Sequence, residues 1–224
     1  MPELVAQHAA FSFGGTPVLR DVNVTLRTRD LFVCVGANAS GKTTMLRLLS
    51  GLLFPDAGEV FVRDGNGQSP RGPVGILFQN PDQQMIAATV EDEIALGLEL
   101  RGVESRRIEE RVEEMLARFR LADFRNRPPQ ALSGGQKQRL ALAAIMAARP
   151  LFLLLDEPDS FLDAPSRREL LDGIESVRGE CGILWTTPNP RHSPPCDRWF
   201  HLQDGVLAEH SGEHISALVQ RVAG

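Results

Sequence analysis

A short stretch with two glycines, a lysine and a threonine lies between a predicted strand and a predicted helix. Residues 36–44 read Gly-Ala-Asn-Ala-Ser-Gly-Lys-Thr-Thr and follow the apolar run 31–35. Glycines at this spacing allow a tight loop whose N–H groups point at phosphate oxygens. The lysine of such a loop reaches the β- and γ-phosphates of a nucleotide, and the next hydroxyl binds Mg²⁺. The candidate phosphate ligands are Gly36, Ala37, Asn38, Ala39, Ser40, Gly41, Lys42, Thr43 and Thr44.

The alternative for this stretch is a chance Gly-Lys-Thr in a surface turn. The strand before it and the helix after it argue against a chance match, because that context is the one in which phosphate loops occur. The helix that starts near Gly41 also directs its positive N-terminal end at the loop. We therefore interpret the stretch as a nucleotide-phosphate site.

A second apolar run, 151–155, ends in two carboxylates, Asp156 and Glu157. A carboxylate at the C-terminal end of a strand beside a phosphate loop can hold Mg²⁺ through water, and Asp156 has this position. Glu157 could then polarise the water that attacks the γ-phosphate. Acidic turns after strands are common, but the phosphate loop upstream favours the functional interpretation.

Strands alternate with helices along most of the chain, which predicts an α/β fold with a parallel sheet covered on both faces. Residues 79–132 interrupt this alternation as a helical insertion, in which Thr89 is predicted to cap a helix. Residues 68–73 are predicted as a loop, and the last dozen residues as weakly helical. The predicted strands are 4–13, 18–26, 59–63, 74–78, 151–155, 182–186, 198–202 and 206–209, and further helices are 106–120, 133–149 and 164–178.

Composition limits the classes of protein to which the chain can belong. Its 224 residues suffice for one large domain, and its formal charge of −5 gives no electrostatic footprint for nucleic acid. No apolar run approaches the roughly 20 residues that cross a bilayer, and the N-terminus does not resemble a signal peptide. Cys34, Cys181 and Cys196 show no metal-ligand spacing, and the first two are predicted as buried core thiols. We expect a soluble protein of a reducing compartment.

The run 132–139, Leu-Ser-Gly-Gly-Gln-Lys-Gln-Arg, decides the family. It is a serine-capped helix start with two glycines, which makes a second anion site. The phosphate loop, this run and the acidic pair follow one another in the order found in the ABC ATPases. The chain therefore resembles that family, in which this run is the signature motif. The resemblance implies an α/β P-loop NTPase with a RecA-like parallel sheet core, an N-terminal antiparallel β subdomain and an inserted α-helical subdomain. It implies one ABC ATPase domain over 1–224, with the β subdomain and core at about 1–78 and 150–210 and the helical subdomain at about 79–135.

The resemblance also implies roles for individual residues. In this family two subunits enclose two ATP molecules, each between one subunit's phosphate loop and the other's signature, here Ser133, Gly134, Gly135 and Gln136. Phe13 resembles the aromatic residue that stacks on adenine, with a strand core aromatic as the alternative. Asp163 belongs to the D-loop, 160–163, which crosses the dimer interface. The implied catalytic residues are Glu157, Gln79 and Lys42, and the implied Mg²⁺ ligands are Thr43, Gln79 and, through water, Asp156.

The segments 79–84 and 88–93 resemble ATPase subunits of energy-coupling factor importers and of cobalt or nickel importers of that type. The chain would then bind ATP and Mg²⁺, hydrolyse ATP and energise a membrane importer of vitamins or metal ions. Its implied partners are a second ABC ATPase subunit, identical or different, and an integral membrane transporter subunit. It would lie in the cytoplasm, peripheral at the inner face of the membrane. ABC-type ATPases that act on nucleic acid or ribosomes usually carry two ATPase modules or a long insertion, so no nucleic-acid partner is expected.

Two positions depart from the family pattern. Ala39 replaces a glycine of the phosphate loop, which is tolerable if its backbone angles stay in the ordinary region. Pro188 stands where a switch histidine is expected, and proline cannot donate a hydrogen bond to a γ-phosphate. His192 follows two prolines, and we predict that it is a surface residue and favour this over a role as a substitute for the switch histidine. These features leave an alternative function, a hydrolysis-poor, regulatory half of a heterodimeric ATPase pair.

Overall fold

The computed structural model of the chain describes residues 1–64, 67–69 and 74–210. These residues form two compact units. The first unit comprises Met1–Ile76, Leu151–Glu157 and the residues from Arg178 onward, and the second comprises Leu77–Pro150 and Pro158–Val177. The predicted weakly helical tail lies outside the described residues.

The strands of the described residues are β1 Glu3–Phe13, β2 Thr16–Arg27, β3 Leu31–Val35, β4 Ala57–Asp64, β5 Gly67–Ser69, β6 Val74–Leu77, β7 Phe152–Asp156, β8 Gly182–Thr187, β9 Arg198–Gln203 and β10 Val206–His210. They form a ten-stranded mixed sheet in the order β5-β4-β1-β2-β10-β9-β3-β8-β7-β6. Its strands β9, β3, β8 and β7 are parallel, whereas β1, β2, β4 and β5 pair antiparallel. The predicted α/β class with an N-terminal antiparallel part is therefore confirmed.

The two parts of the sheet differ in how their strands are buried. In β2, the buried residues Val22, Val24 and Leu26 alternate with more exposed polar residues, as in a sheet with one face in water. In β3 and β7 every residue is buried, as expected of parallel strands that are covered on both faces. Strand β10 joins the parts, because it pairs antiparallel with β9 and parallel with β2.

Helix α1, Lys42–Leu49, packs its apolar side chains on one face of the parallel strands. Met45, Leu46, Leu48 and Leu49 share a buried cluster with side chains of the neighbouring strands, among them Phe32, Cys34, Leu154 and Leu184. Burial raises the pKa of the Cys34 thiol to about 12. Cys34 and Cys181 are both buried, which confirms them as core thiols. This packing fixes the start of α1 relative to the ends of β3, β7 and β8.

The second unit contains helices α2 Val90–Glu99, α3 Ser105–Arg118, α4 Gly134–Ala147 and α5 Ala164–Val177. Thr89 caps α2 as predicted, since its hydroxyl accepts a hydrogen bond from the Asp92 N–H. A buried arginine ties α3 to α4. The Arg111 guanidinium donates to the carbonyl oxygens of Met146 and Ala147, at 2.5 and 3.1 Å, and so satisfies the C-terminal end of α4.

Two predictions about local structure need correction. Helix α3 ends at Arg118, because Arg120 adopts a left-handed φ of 56° that stops the helix. Residues 67–69 form the short strand β5 against β4, so 68 and 69 of the predicted loop 68–73 are strand residues, while 70–73 lie outside the described residues.

Candidate functional site

The phosphate loop connects β3 to α1 and depends on both of its glycines. At Gly36, a Cβ atom would lie 2.5 Å from the Ser40 hydroxyl and 2.7 Å from the Leu202 carbonyl oxygen, so no side chain fits. Gly41 caps α1 with a φ of 102°, a left-handed conformation that favours glycine. The spacing of the two glycines therefore reflects a steric and a conformational requirement of this loop.

The backbone conformation of Ala39 differs from the one that was expected. Its φ is 63°, so it does not keep the ordinary backbone angles that were expected for an alanine in place of the family's glycine. A left-handed conformation costs an L-residue roughly 1–2 kcal/mol because Cβ approaches the following carbonyl oxygen. The loop therefore holds a strained residue between Asn38 and Ser40.

Substituting Ala39→Gly is expected to stabilise the protein by about 0.5–1 kcal/mol, since relief of the strain exceeds the added chain entropy of glycine. The melting temperature should rise by about 1–4 °C in a chain of this size. Ala37→Gly is the matched control, because Ala37 has no positive φ and should lose stability. A lower melting temperature for Ala39→Gly would contradict the strain.

The Lys42 ammonium lies inside the loop and contacts three oxygen atoms. It donates to the carbonyl oxygens of Gly36 and Ala37, at 2.8 and 2.9 Å. It also forms an ion pair with Glu157 Oε1 at 3.0 Å, and its side chain is almost completely buried. The structure thus brings together two of the three predicted catalytic residues, which are far apart in sequence.

Thr43 and Asp156 also meet in the first unit. The Thr43 hydroxyl donates to Asp156 Oδ2 at 2.7 Å. The pKa of the Asp156 carboxyl is raised, mainly by burial and to a smaller extent by the charge of Glu157. The hydrogen bonds from Thr43 and Thr186 and the charge of Lys42 act in the opposite direction. Among the described residues, no group of three or more His, Cys, Asp or Glu side chains could hold a metal ion. A hydroxyl and a carboxylate in contact nevertheless fit Mg²⁺, which prefers oxygen ligands and keeps several waters.

Glu157 follows Asp156 in a left-handed conformation with a φ of 46°. Its N–H donates to the Thr186 hydroxyl at 3.2 Å. Sequence reasoning missed Thr186, although a threonine in the apolar strand β8 was a visible signal. A buried hydroxyl needs a partner, and here the partners are the two carboxylate residues.

A groove of about 680 Å³ lies beside the phosphate loop, in the first unit. Ala37–Ser40 form one wall, and residues of β2 and the β9–β10 turn form the other. In the same unit, Phe13 is half exposed, and its ring packs edge-to-face with that of Phe11, with ring centroids 4.8 Å apart. Phe13 is therefore not a core aromatic, and its ring is open to a stacking partner.

In the second unit, the signature residues form the start of α4. Ser133 and Gln136 make a capping box, in which the Ser133 hydroxyl accepts from the Gln136 N–H and the Gln136 side chain accepts from the Ser133 N–H. Gly135 packs against Ser166 of α5, so closely that a Cβ at Gly135 would lie 2.5 Å from the Ser166 Cβ.

Asp163 stands at the start of α5, and its carboxylate accepts the Ser166 N–H at 2.9 Å. The hydrogen bonds from Ser166 lower the pKa of Asp163. The signature residue Gly135 and the D-loop residue Asp163 therefore both contact Ser166 of α5. Gln79 also belongs to the second unit, between β6 and a short 3-10 helix at Pro81–Gln83.

Pro188 follows β8 directly and is half-buried. On either side of it, the Thr187 hydroxyl donates to the Asn189 carbonyl oxygen at 3.0 Å and accepts the Asn189 N–H at 3.1 Å. The side chain of His192 lies outside the described residues, so its predicted surface position stays a prediction.

The order and geometry of these groups agree with the comparison with known proteins. The sequence pattern described as "ABC transporter" matches residues 19–160. The chain belongs to the ABC transporter family. Its mixed sheet and phosphate loop are those of an ABC ATPase, as the resemblance implied. Within the described ranges, none of the helices of this ABC ATPase is both long and apolar enough to span a bilayer.

Several relatives of this ABC ATPase carry the same name. The energy-coupling factor transporter ATP-binding protein EcfA1 of Thermotoga maritima is 40% identical over 209 residues, which are 92% of this chain and 80% of that protein. EcfA1 of Streptococcus thermophilus is 43% identical over 171 residues, 74% of this chain, and this match spans 62% of the length of that relative. The solved structure of cbiO1 from Clostridium perfringens, described as part of the ABC transporter complex cbiONQ, superposes with a TM-score of 0.80 at 26% identity, covering 98% of this chain and 93% of that one.

Proposed function

We propose that the chain binds and hydrolyses ATP and thereby energises a membrane importer of the energy-coupling factor type, for vitamins or metal ions. The observation that carries this proposal is the convergence of Lys42, Thr43, Asp156 and Glu157 around one phosphate loop. The names of the relatives, which are ATP-binding proteins of energy-coupling factor transporters, support the kind of process that is energised.

The chain's own residues divide the work of hydrolysis. The loop N–H groups and Lys42 bind the β- and γ-phosphates, and Phe13 stacks on the adenine. Glu157 accepts a proton from the water that attacks the γ-phosphate. Thr43, Gln79 and, through water, Asp156 would hold Mg²⁺, which neutralises charge on the phosphates when bound.

The proposed partners follow from the same division. The capped helix start at Ser133–Gln136 completes an ATP site on a second ABC ATPase subunit, identical or different, and Asp163 lies at the interface with that subunit. The protein would act as one domain of about 1–224 at the inner face of the membrane, bound to an integral membrane subunit. A net charge of −5 supports the absence of a nucleic-acid partner.

The proposal is tested by measuring phosphate release from MgATP by the purified chain, alone and together with its membrane subunit. We expect turnover in the range of about 1 s⁻¹ or above for the assembled protein, and loss of turnover when EDTA removes Mg²⁺. An assembled protein that binds ATP but releases no phosphate would contradict hydrolysis at this site.

A second candidate function rests on Pro188. Its ring nitrogen carries no proton, so it offers no hydrogen bond to a γ-phosphate. We propose as the alternative that this chain's own phosphate site hydrolyses ATP poorly, while its signature completes a competent site on a different subunit. The chain would then be the regulatory half of a heterodimeric pair.

Substituting Pro188→His distinguishes the two candidates. If the second candidate holds, the native chain is nearly silent and Pro188→His raises phosphate release about tenfold or more, because a positioned imidazole adds a hydrogen-bond donor. Pro188→Ala is the control, since it removes the ring without adding a donor. Equal and brisk turnover by all three proteins would exclude the second candidate.

A further inference from the structure

Thr186 is the residue of β8 that lies directly beside Asp156 of β7. The two are paired in the parallel register, so their side chains project from the same face of the sheet. The Thr186 side chain is completely buried. Its hydroxyl is therefore held at a fixed position next to the candidate Mg²⁺ ligand.

The hydroxyl links the two acidic residues at the end of β7. It accepts the Glu157 N–H at 3.2 Å and lies 3.2 Å from both Asp156 Oδ1 and the Leu155 carbonyl oxygen. A threonine hydroxyl has one proton, which it can donate to either of these two oxygens. Because Thr43 binds the other oxygen, Oδ2, the Asp156 carboxylate has a hydroxyl neighbour on each side.

The hydrogen bond from the Glu157 N–H to the Thr186 hydroxyl also restrains the backbone of Glu157. Its backbone is left-handed, which disfavours a residue with a Cβ atom. Strained residues persist where the surrounding structure holds them, and the bond from the Glu157 N–H to Thr186 is such a restraint. The backbone conformation of Glu157 in turn sets the direction in which its carboxylate leaves the chain.

We propose that Thr186 is a positioning residue, which orients the Asp156 carboxylate for Mg²⁺ and directs the Glu157 carboxylate towards the attacking water. This inference rests on the proposed hydrolysis. Thr186 acts through its two neighbours and does not itself touch the reacting atoms. Removing a residue that hydrogen-bonds to a metal ligand typically lowers metal affinity or activity by about 10- to 100-fold.

The test compares Thr186→Val, which keeps the shape and removes the hydroxyl, with Thr186→Ser, which keeps the hydroxyl. Thr187→Val is the matched control, since Thr187 is equally buried in the same strand but bonds to the backbone of Asn189. Two quantities are measured for each protein: phosphate release from MgATP, and the gain in ATP affinity on changing from EDTA to Mg²⁺. Melting temperatures report on the fold.

Thr186→Val is expected to lower turnover about 10- to 100-fold and to reduce the gain in ATP affinity from Mg²⁺ about tenfold, while Thr186→Ser restores both. Native values of both quantities in Thr186→Val would overturn the proposal, and so would a folded Thr186→Ser that behaves like valine. A native chain that releases no phosphate contradicts the proposed function instead, and the gain in affinity from Mg²⁺ then decides the role of Thr186 alone.

Discussion

Replacing Glu157 with glutamine is expected to lower phosphate release from MgATP at least about 100-fold and to leave ATP binding largely intact. Glutamine has nearly the same shape but cannot accept a proton from water. The Lys42 ammonium loses its ion pair with Glu157, yet it keeps its hydrogen bonds to the Gly36 and Ala37 carbonyl oxygens. The phosphate loop should therefore retain its form, and the loss should fall on the turnover number.

The measurement pairs steady-state phosphate release with ATP binding by titration calorimetry. Glu59→Gln is the control, because it makes the same chemical change at an exposed position of β4. If Glu157→Gln kept more than half of the native turnover, Glu157 would not be the general base. If it lost ATP binding as well, the ion pair with Lys42 would be needed to shape the loop.

Spacing within short segments predicted a large part of the fold and of the candidate site. The phosphate loop, α1 and the acidic end of β7 follow from local patterns, since glycine, lysine and hydroxyl residues at fixed offsets have few structural solutions. The capping residues Thr89 and Ser133 were also visible, because an N-cap acts over only three residues. The structure places Lys42, Thr43, Asp156 and Glu157 together, as their types suggested.

Contacts between distant segments could not be predicted in the same way. Thr186 reaches Asp156 and Glu157 only because β8 pairs beside β7 in one particular register. The left-handed backbone of Ala39 is set by the closure of the loop, and alanine itself gives no signal for it. The parallel contact of β10 with β2, which joins the two parts of the sheet, likewise depends on the tertiary arrangement.

The contact between Gly135 and Ser166 gives the second large expected effect. A Cβ at Gly135 would lie 2.5 Å from the Ser166 Cβ and 2.6 Å from its hydroxyl oxygen. Gly135→Ala must therefore push α4 and α5 apart at the signature, which costs about 1–3 kcal/mol as overpacking. We expect the melting temperature to fall by several degrees, about 2–4 °C for each kcal/mol, and phosphate release to fall about tenfold or more because the signature backbone shifts.

The double variant Gly135→Ala/Ser166→Gly separates packing from nucleotide contact. The added Cβ points at Ser166, so removing the serine side chain should restore both the melting temperature and phosphate release. Gly134→Ala is the control for stability, since a Cβ at Gly134 meets nothing within 4 Å. If the double variant regained its stability but stayed inactive, the contact with Ser166 would not be the reason for a glycine at position 135. Gly135 would then be required for close approach to the ATP of the partner subunit.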